Sequence, residues 1–287
     1  PNCGLWSFVS KFLKNPNSAY DDFSAMFDSV RYPVSKARAA YWAGRAAAAK
    51  DDTSTANAWY TKASAYPTTF YGQLAVAKLS GKPSLMLPAD PKMRAEDKQQ
   101  FMNKELVRAI KLCVDSGEDT IAWQLLQHML DNADSPAEAA ALAKLSQEIH
   151  SNYLGVKSAK RALQNNMILK TVGYPLLSLP TNSPLDAALV HAIVRKEREF
   201  DPQAESPSNA RGLMQLLPST AKEVARKNDI PYAIAKLSTS EYNLTLGSIY
   251  FRKLLDGFGG SYIYTIASYN AGPGRVREWI GTLGEIG

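Results

Sequence analysis

Ser35-Lys-Ala-Arg-Ala-Ala-Tyr-Trp-Ala-Gly-Arg-Ala-Ala-Ala-Ala-Lys50 decides the fold class. Alanine, the best helix former, fills the stretch. Ala39, Trp42, Ala43 and Ala46 fall at i, i+3, i+4 and i+7, which is one stripe of a helix. The next helix, over 56–65, presents Trp59, Ala63 and Tyr66. Small residues on one helix and large aromatics on the next predict stacked helix pairs. Pro67 stops that second helix, and a third over 70–79 ends at Ser80-Gly81, a C-cap signal. No fixed period recurs, so any repeats are degenerate.

Lys82-Pro-Ser-Leu-Met-Leu-Pro-Ala-Asp-Pro91 reads as a linker. Helices resume to about residue 168. Leu106, Ala109, Ile110 and Cys113 make one apolar stripe, and Ile121, Leu125 and Met129 another. Ser135-Pro136 with Glu138 supplies an N-cap, a proline at N1 and an acid at N3. Gly173-Tyr-Pro-Leu-Leu-Ser-Leu-Pro-Thr-Asn-Ser-Pro184 is a second break, and the last domain boundary is placed there. Alternation of the strand type is nearly absent, so the expected class is all-α.

The chain has 287 residues, 45% of them hydrophobic and 21% charged. That composition argues against disorder, collagen-like repeats and a disulfide scaffold. No apolar run reaches the roughly 18 residues of a transmembrane helix. The net charge of +6 favours an acidic partner. Lys and Arg are nonetheless spread out with no reader motif, so nucleic acid is not expected. Cys3 and Cys113 read as unpaired thiols, with a disulfide as the alternative. His128, His150 and His191 are scattered, and no His/Cys set has zinc spacing, so no metal is expected. The chain begins at Pro1 without a signal peptide and ends abruptly, which reads as a processed or trimmed piece.

The chemistry-bearing residues gather after residue 183. Ser183-Pro184 opens a helix running to Phe200, before Pro202. Glu197 lies three, four and seven positions after Val194, Ile193 and Val190, and its side chain points back onto them. Desolvation and the negative helix end both disfavour its charge. Two readings stand: a general acid with a raised pKa, or a carboxylate at the stripe's edge paired with Arg198 or Arg211. Glu199 falls at helix spacing from Arg195 and Lys196 and reads as a solvated ion pair. In the loop that follows, Gly212 suggests a close backbone approach, with the Gln215 amide available for hydrogen bonding. Thr220-Ala-Lys-Glu223 reads as a capping box. Ser238-Thr-Ser-Glu241 starts a helix carrying Asn243, Gly247 and Tyr250. Tyr262, Ile266, Tyr269 and Asn270 lie on another, ended by Ala271-Gly-Pro-Gly274.

Together these blocks resemble the catalytic domain of the soluble lytic murein transglycosylases, a lysozyme-like family related to goose-type lysozyme. The likeness is carried by Ala188-Leu-Val-His-Ala-Ile-Val-Arg-Lys-Glu197, Phe200-Asp-Pro202, Ser206-Pro and Ala210-Arg-Gly-Leu-Met-Gln-Leu-Leu-Pro-Ser-Thr-Ala221. It continues through Asn243-Leu-Thr-Leu-Gly-Ser-Ile-Tyr250 and Ser268-Tyr-Asn-Ala-Gly-Pro-Gly-Arg-Val276. Upstream, Ser35-Lys-Ala-Arg-Ala-Ala-Tyr-Trp and Tyr66-Pro-Thr-Thr-Phe-Tyr-Gly-Gln-Leu-Ala75 are more loosely similar to the family's superhelical and linker helices.

The resemblance implies three parts. Residues 1–85 would end an α-superhelical domain, 86–172 form a helical linker domain, and 173–287 a lysozyme-like catalytic domain incomplete at its C-terminus. It implies cleavage of the β-1,4 bond between N-acetylmuramic acid and N-acetylglucosamine in peptidoglycan, without water, to a 1,6-anhydro product. One carboxyl suffices, whereas ordinary glycosidases use two. Glu197 would be acid and then base, with Tyr269 beside the reacting sugar. Met214, Gln215, Tyr250 and Asn270 would line the glycan groove, and Gly212 would support its loop. Neither cofactor nor metal is implied. The implied compartment is the bacterial periplasm, with glycan strands as substrate and cell-wall synthesis or secretion proteins as candidate partners. One position departs from the family: Arg198 follows the glutamate where a serine is usual. An arginine paired with Glu197 would lower its pKa and leave a catalytically impaired peptidoglycan-binding adaptor.

Overall fold

The computed structural model describes residues 16–284, so Cys3 lies outside the described residues. The chain divides into two compact units, Pro1–Gly173 and Tyr174–Gly287. Among the described residues, regular structure is helical, apart from isolated bridges in one loop.

The first unit opens with α1 (Pro16–Ser29), α2 (Pro33–Ala48), α3 (Thr53–Ser64) and α4 (Phe70–Ser80), each packed on the next. The alanines of α2 at 37, 39, 40, 43, 46 and 47 are buried and make room for Tyr41, Trp59 and Tyr60. Tyr41 lies 5.7 Å from Tyr60, and Phe27 stands edge-on to Trp59 at 5.5 Å. Such pairs add roughly 0.5–1.5 kcal/mol each beyond area burial. Asp52 caps α3 by accepting the Thr55 N–H, and α4 closes on Gly81 at φ +72°. Residues 83–94 hold no regular structure.

A second core in this unit joins α5 (Ala95–Met102), α6 (Glu105–Asp115), α7 (Asp119–Asp131), α8 (Pro136–Glu148) and α9 (Asn152–Leu163), and the short α10 (Lys170–Gly173) follows. The buried stripes keep Ile110 and Met129 of the sequence reading and otherwise shift by one residue. Val107 and Ile110 are buried on α6, and Ala122, Leu126 and Met129 on α7, while Leu106 and Ile121 are exposed. Both helices carry apolar residues on adjoining faces, and periodicity does not say which face the neighbours cover. Cys113 is a half-buried free thiol. Ser135 caps α8 by accepting the Glu138 N–H at 3.1 Å.

The second unit contains α11 (Ala187–Arg198), α12 (Pro218–Lys227), a 3-10 turn (Ile234–Ser238), α13 (Ser240–Gly257), α14 (Tyr262–Ala271) and α15 (Pro273–Leu283). Helix α13 is the hub: α12, the 3-10 turn and α14 all pack on it. Three helix starts differ from the sequence reading. Asp186, not Ser183, caps α11, because its Oδ1 reaches the Ala188 N–H at 2.8 Å. Thr220 lies inside α12, which begins at Pro218. Ser238 closes the 3-10 turn, and α13 begins at Ser240. No helix among the described residues is long and apolar enough to cross a membrane.

Candidate active site

Helix α11 buries Val190, Ile193 and Val194, and Glu197 sits one turn further along the same face. The helix ends directly after it, short of the Phe200 end read from sequence. Glu199 and Phe200 take left-handed conformations, φ +54° and +68°, which cost non-glycine residues about 1 kcal/mol or more. Glu199 is therefore the helix cap rather than a residue of its last turn. His191 fixes the start of the unit to α11. Its Nε2 accepts the Leu177 N–H at 2.9 Å, so its Nδ1 carries the proton and faces the Ala187 carbonyl at 2.6 Å.

Burial pushes the Glu197 carboxyl above its ordinary range, against the opposing pull of the Arg198 and Lys196 charges. The two cations proposed as ion-pair partners are committed elsewhere. Arg198 Nε donates to Gln215 Oε1 at 2.9 Å. Arg211 donates to Asn209 Oδ1 at 2.8 Å and to Glu205 Oε1 at 3.1 Å. Glu197 thus stands half-buried with no cation bound to it among the described residues. A carboxyl in that state is suited to donate a proton and then recover one.

The loop over 201–217 is held as two small turns closed by bridges from Arg211 to Glu205 and to Leu216. Gly212 is required there. Its φ is +72°, and a Cβ would lie 2.3 Å from the Leu237 carbonyl and 2.4 Å from Asn243 Nδ2. What approaches so closely is Asn243, a fully buried residue of α13. Its Oδ1 accepts the Met214 N–H at 2.8 Å, and its Nδ2 donates to the Arg211 and Leu237 carbonyls at 2.9 and 2.8 Å. Every polar atom of the side chain is used to hold the loop. Sequence reasoning places Asn243 on its helix but gives it no role in the site. An amide set between apolar helix positions is the local signal, and its partners are not visible locally.

Tyr269 closes the arrangement from α14. Its hydroxyl donates to the Met214 carbonyl at 2.6 Å, and its ring lies 5.6 Å from Tyr250 and 5.5 Å from Phe251. Burial first, then the Glu197 and Tyr250 charges, drive its phenol far above the ordinary range, so it is a neutral donor. Tyr250 is raised as well, chiefly by burial. Tyr269 therefore joins the Met214 backbone to Tyr250, near enough to Glu197 to feel its charge.

Two groove expectations change. Met214 is fully buried with its sulfur against Gly247, so its side chain supports the loop from beneath rather than lining a groove. The Gln215 amide is not free: Nε2 donates to the Ala204 and Gly212 carbonyls at 3.2 and 3.1 Å. Asn270 is exposed at the end of α14. Three other carboxylates of this unit have partners: Glu223 has Lys227 and Lys253, Asp256 has Arg252, and Asp201 accepts the Gln203 backbone N–H.

Residues 180–285 match the family described as the transglycosylase SLT domain. These residues belong to the transglycosylase SLT family. The SLT match includes α11 to α15 and all the site residues above. A Haemophilus influenzae relative carrying the soluble lytic murein transglycosylase name is 30% identical over 223 residues, 74% of this chain and 36% of that protein. The soluble lytic murein transglycosylase of Escherichia coli K12 is 40% identical over 92 residues, 31% of this chain and 14% of that protein. The chain thus spans about a third or less of the length of these relatives. Among solved structures, an inactive glutamate-to-glutamine mutant of lytic transglycosylase Slt from Pseudomonas aeruginosa has TM-score 0.73 and 27% identity, covering 93% of this chain and 44% of its own. The 70 kDa soluble lytic transglycosylase of Escherichia coli shares the fold at TM-score 0.68 and 24% identity, over 86% of this chain and 40% of its own.

Proposed function

We propose that this chain is the catalytic part of a peptidoglycan lytic transglycosylase, with Glu197 as its acid and base. The observation that carries the reading is Glu197 itself: half-buried, pushed toward the protonated form, bound by no cation among the described residues, and close enough to Tyr269 for its charge to be felt there. Glu197 donates its proton to the glycosidic oxygen as the bond from the muramoyl anomeric carbon to that oxygen breaks. The 2-acetamido group assists at the anomeric carbon. The muramoyl 6-hydroxyl then bonds to that carbon and returns its proton to Glu197, leaving a 1,6-anhydro ring. No second catalytic carboxylate is needed, in contrast to hydrolases that use a pair. Tyr269, neutral and fixed on the Met214 carbonyl, and Tyr250 beside it form the wall against which the muramoyl ring rests.

The Haemophilus and Escherichia relatives named for this activity support the reading, as does the inactive glutamate-to-glutamine form of the Pseudomonas enzyme. Arg198 bonds Gln215 instead of Glu197, which favours an active enzyme over an impaired adaptor. Its place would be the bacterial periplasm, where the +6 charge attracts a wall carrying carboxylates. Digestion of purified sacculi tests the reaction. Wild type should release 1,6-anhydromuropeptides, and Glu197→Gln should lower the rate by roughly 10³-fold without loss of folding. Reducing-end muropeptides would instead show hydrolysis, and release undiminished in Glu197→Gln would remove Glu197 from the chemistry.

A further inference from the structure

Arg198 is held in an unusual way for an arginine beside a buried carboxyl. Only its Nε is used, in the 2.9 Å bond to Gln215 Oε1. Gln215 is itself fixed by its two bonds to the Ala204 and Gly212 carbonyls, so it is a rigid post rather than a mobile surface group. Nη1 and Nη2 donate to no protein acceptor among the described residues, and neither is buried from solvent. Their N–H donors keep the planar fork that matches a carboxylate. Nearby carboxylates do not fill it: Glu205 is bound by Arg211, and Asp201 accepts the Gln203 backbone N–H. Glu197 carries no ion pair to it, although its pKa records the Arg198 charge. A half-buried stem, a fixed anchor and an unfilled fork, all beside the acid, make an anion receptor.

We propose that Arg198 binds a carboxylate of the substrate and makes the site distinguish charged from neutral glycan. The proposal rests on the transglycosylase reading and deepens it. The muramoyl unit at the scissile bond carries a lactyl ether. It ends in a free carboxylate when the stem peptide has been removed and in an amide when the peptide is present. The stem peptide brings carboxylates of its own. Either source presents the same group to the guanidinium, and the muramoyl unit is the one placed against Glu197.

The test uses the full chain as wild type, Arg198→Ser and Arg198→Lys on three glycans: peptide-carrying, stripped by an amidase, and stripped with the lactyl carboxyl converted to a methylamide. Wild type should have a KM roughly 10-fold lower on a carboxylate-bearing glycan than on the neutral one. Arg198→Ser should erase that difference while kcat changes little, and Arg198→Lys should restore only part of it, because an ammonium lacks the fork. A preference for the stripped glycan assigns the lactyl carboxylate, and one for the peptide-carrying glycan assigns the stem peptide. The proposal is overturned if Arg198→Ser leaves KM unchanged on all three, or raises it equally on charged and neutral glycan. If wild type releases no product at all, the transglycosylase reading fails. Binding of Glu197→Gln to the three glycans, with and without Arg198→Ser, then still decides the role of Arg198.

Discussion

Glu138 sits in the first turn of α8 in one unit, and Glu197 in the last turn of α11 in the other. Glu138 is only 8% exposed, yet its pKa is lowered. Burial works against its charge, but the Lys104 ammonium and the Asp134 N–H at 3.0 Å more than offset it. The positive end of α8 helps in the same direction. Glu197 has the negative end of its helix, no bound cation among the described residues and a raised pKa. Around Glu138 the partners serve the carboxyl. Around Glu197 they serve the loop: Asn243 and Gln215 bond its backbone and Arg211 its Asn209 and Glu205 side chains, while no cation among the described residues pairs with the acid. A buried carboxyl with partners stabilises a helix end, and one without them is available for proton transfer.

The strongest test of that contrast is Asn243→Ala. It would leave the Met214 N–H and the Leu237 carbonyl without their partner in a buried place, and the Arg211 carbonyl with the Leu216 N–H alone. At roughly 1–3 kcal/mol for each unsatisfied group, partly relieved by water, a loss of about 4 kcal/mol is expected. Denaturant unfolding should show it, and hydrogen exchange should confine the loosening to the second unit. A loss under about 1 kcal/mol would mean that the loop is held by something other than this residue.

Gly212→Ala should come next, at about 3 kcal/mol, since an L residue at φ +72° is strained and its Cβ would meet backbone as well as Asn243. Its effect should not add to that of Asn243→Ala, because both break the same contact. Full additivity in a double-mutant cycle would separate the loop from the α13 anchor and break the picture of one hub.

The two units also differ in how much of them can be read along the chain. Helix α2 is legible because its determinants are local: alanine content, spacing, and a glycine at the end of a helix two elements on. The apolar face under Glu197 is legible for the same reason, being set by residues three, four and seven positions back. The rotated stripes on α6 and α7 were not, since Leu106 and Val107 are equally apolar and only the neighbours decide between them. The freedom of Glu197 from Arg198 and Arg211 depends on Gln215, Asn209 and Glu205, which compete for the same cations. Met214 is hidden because Gly247, far along the chain, lets α13 come close. Asn243 bonds partners 32, 29 and 6 positions away, and no periodicity encodes such a set.

The smallest effect is the sharpest for the comparison, because the two glutamates should give pH dependences of opposite sign. Glu138 has a folded pKa below its unfolded value of about 4.3. Its contribution is present above that value and lost as pH falls through the folded pKa. Glu138→Gln should therefore cost about 1 kcal/mol near neutral pH and nothing in strong acid, the value kept low because Lys104 is 45% exposed. Glu197 has a folded pKa above its unfolded value. Its contribution is present below about pH 4.3 and lost as pH rises through the raised pKa. Glu197→Gln should then leave the second unit as stable as before, or more so, at neutral pH. Hydrogen exchange followed unit by unit from pH 3 to pH 8 separates the two slopes. Parallel slopes would mean that Glu197 has a partner in solution after all, and its suitability as an acid would go with it.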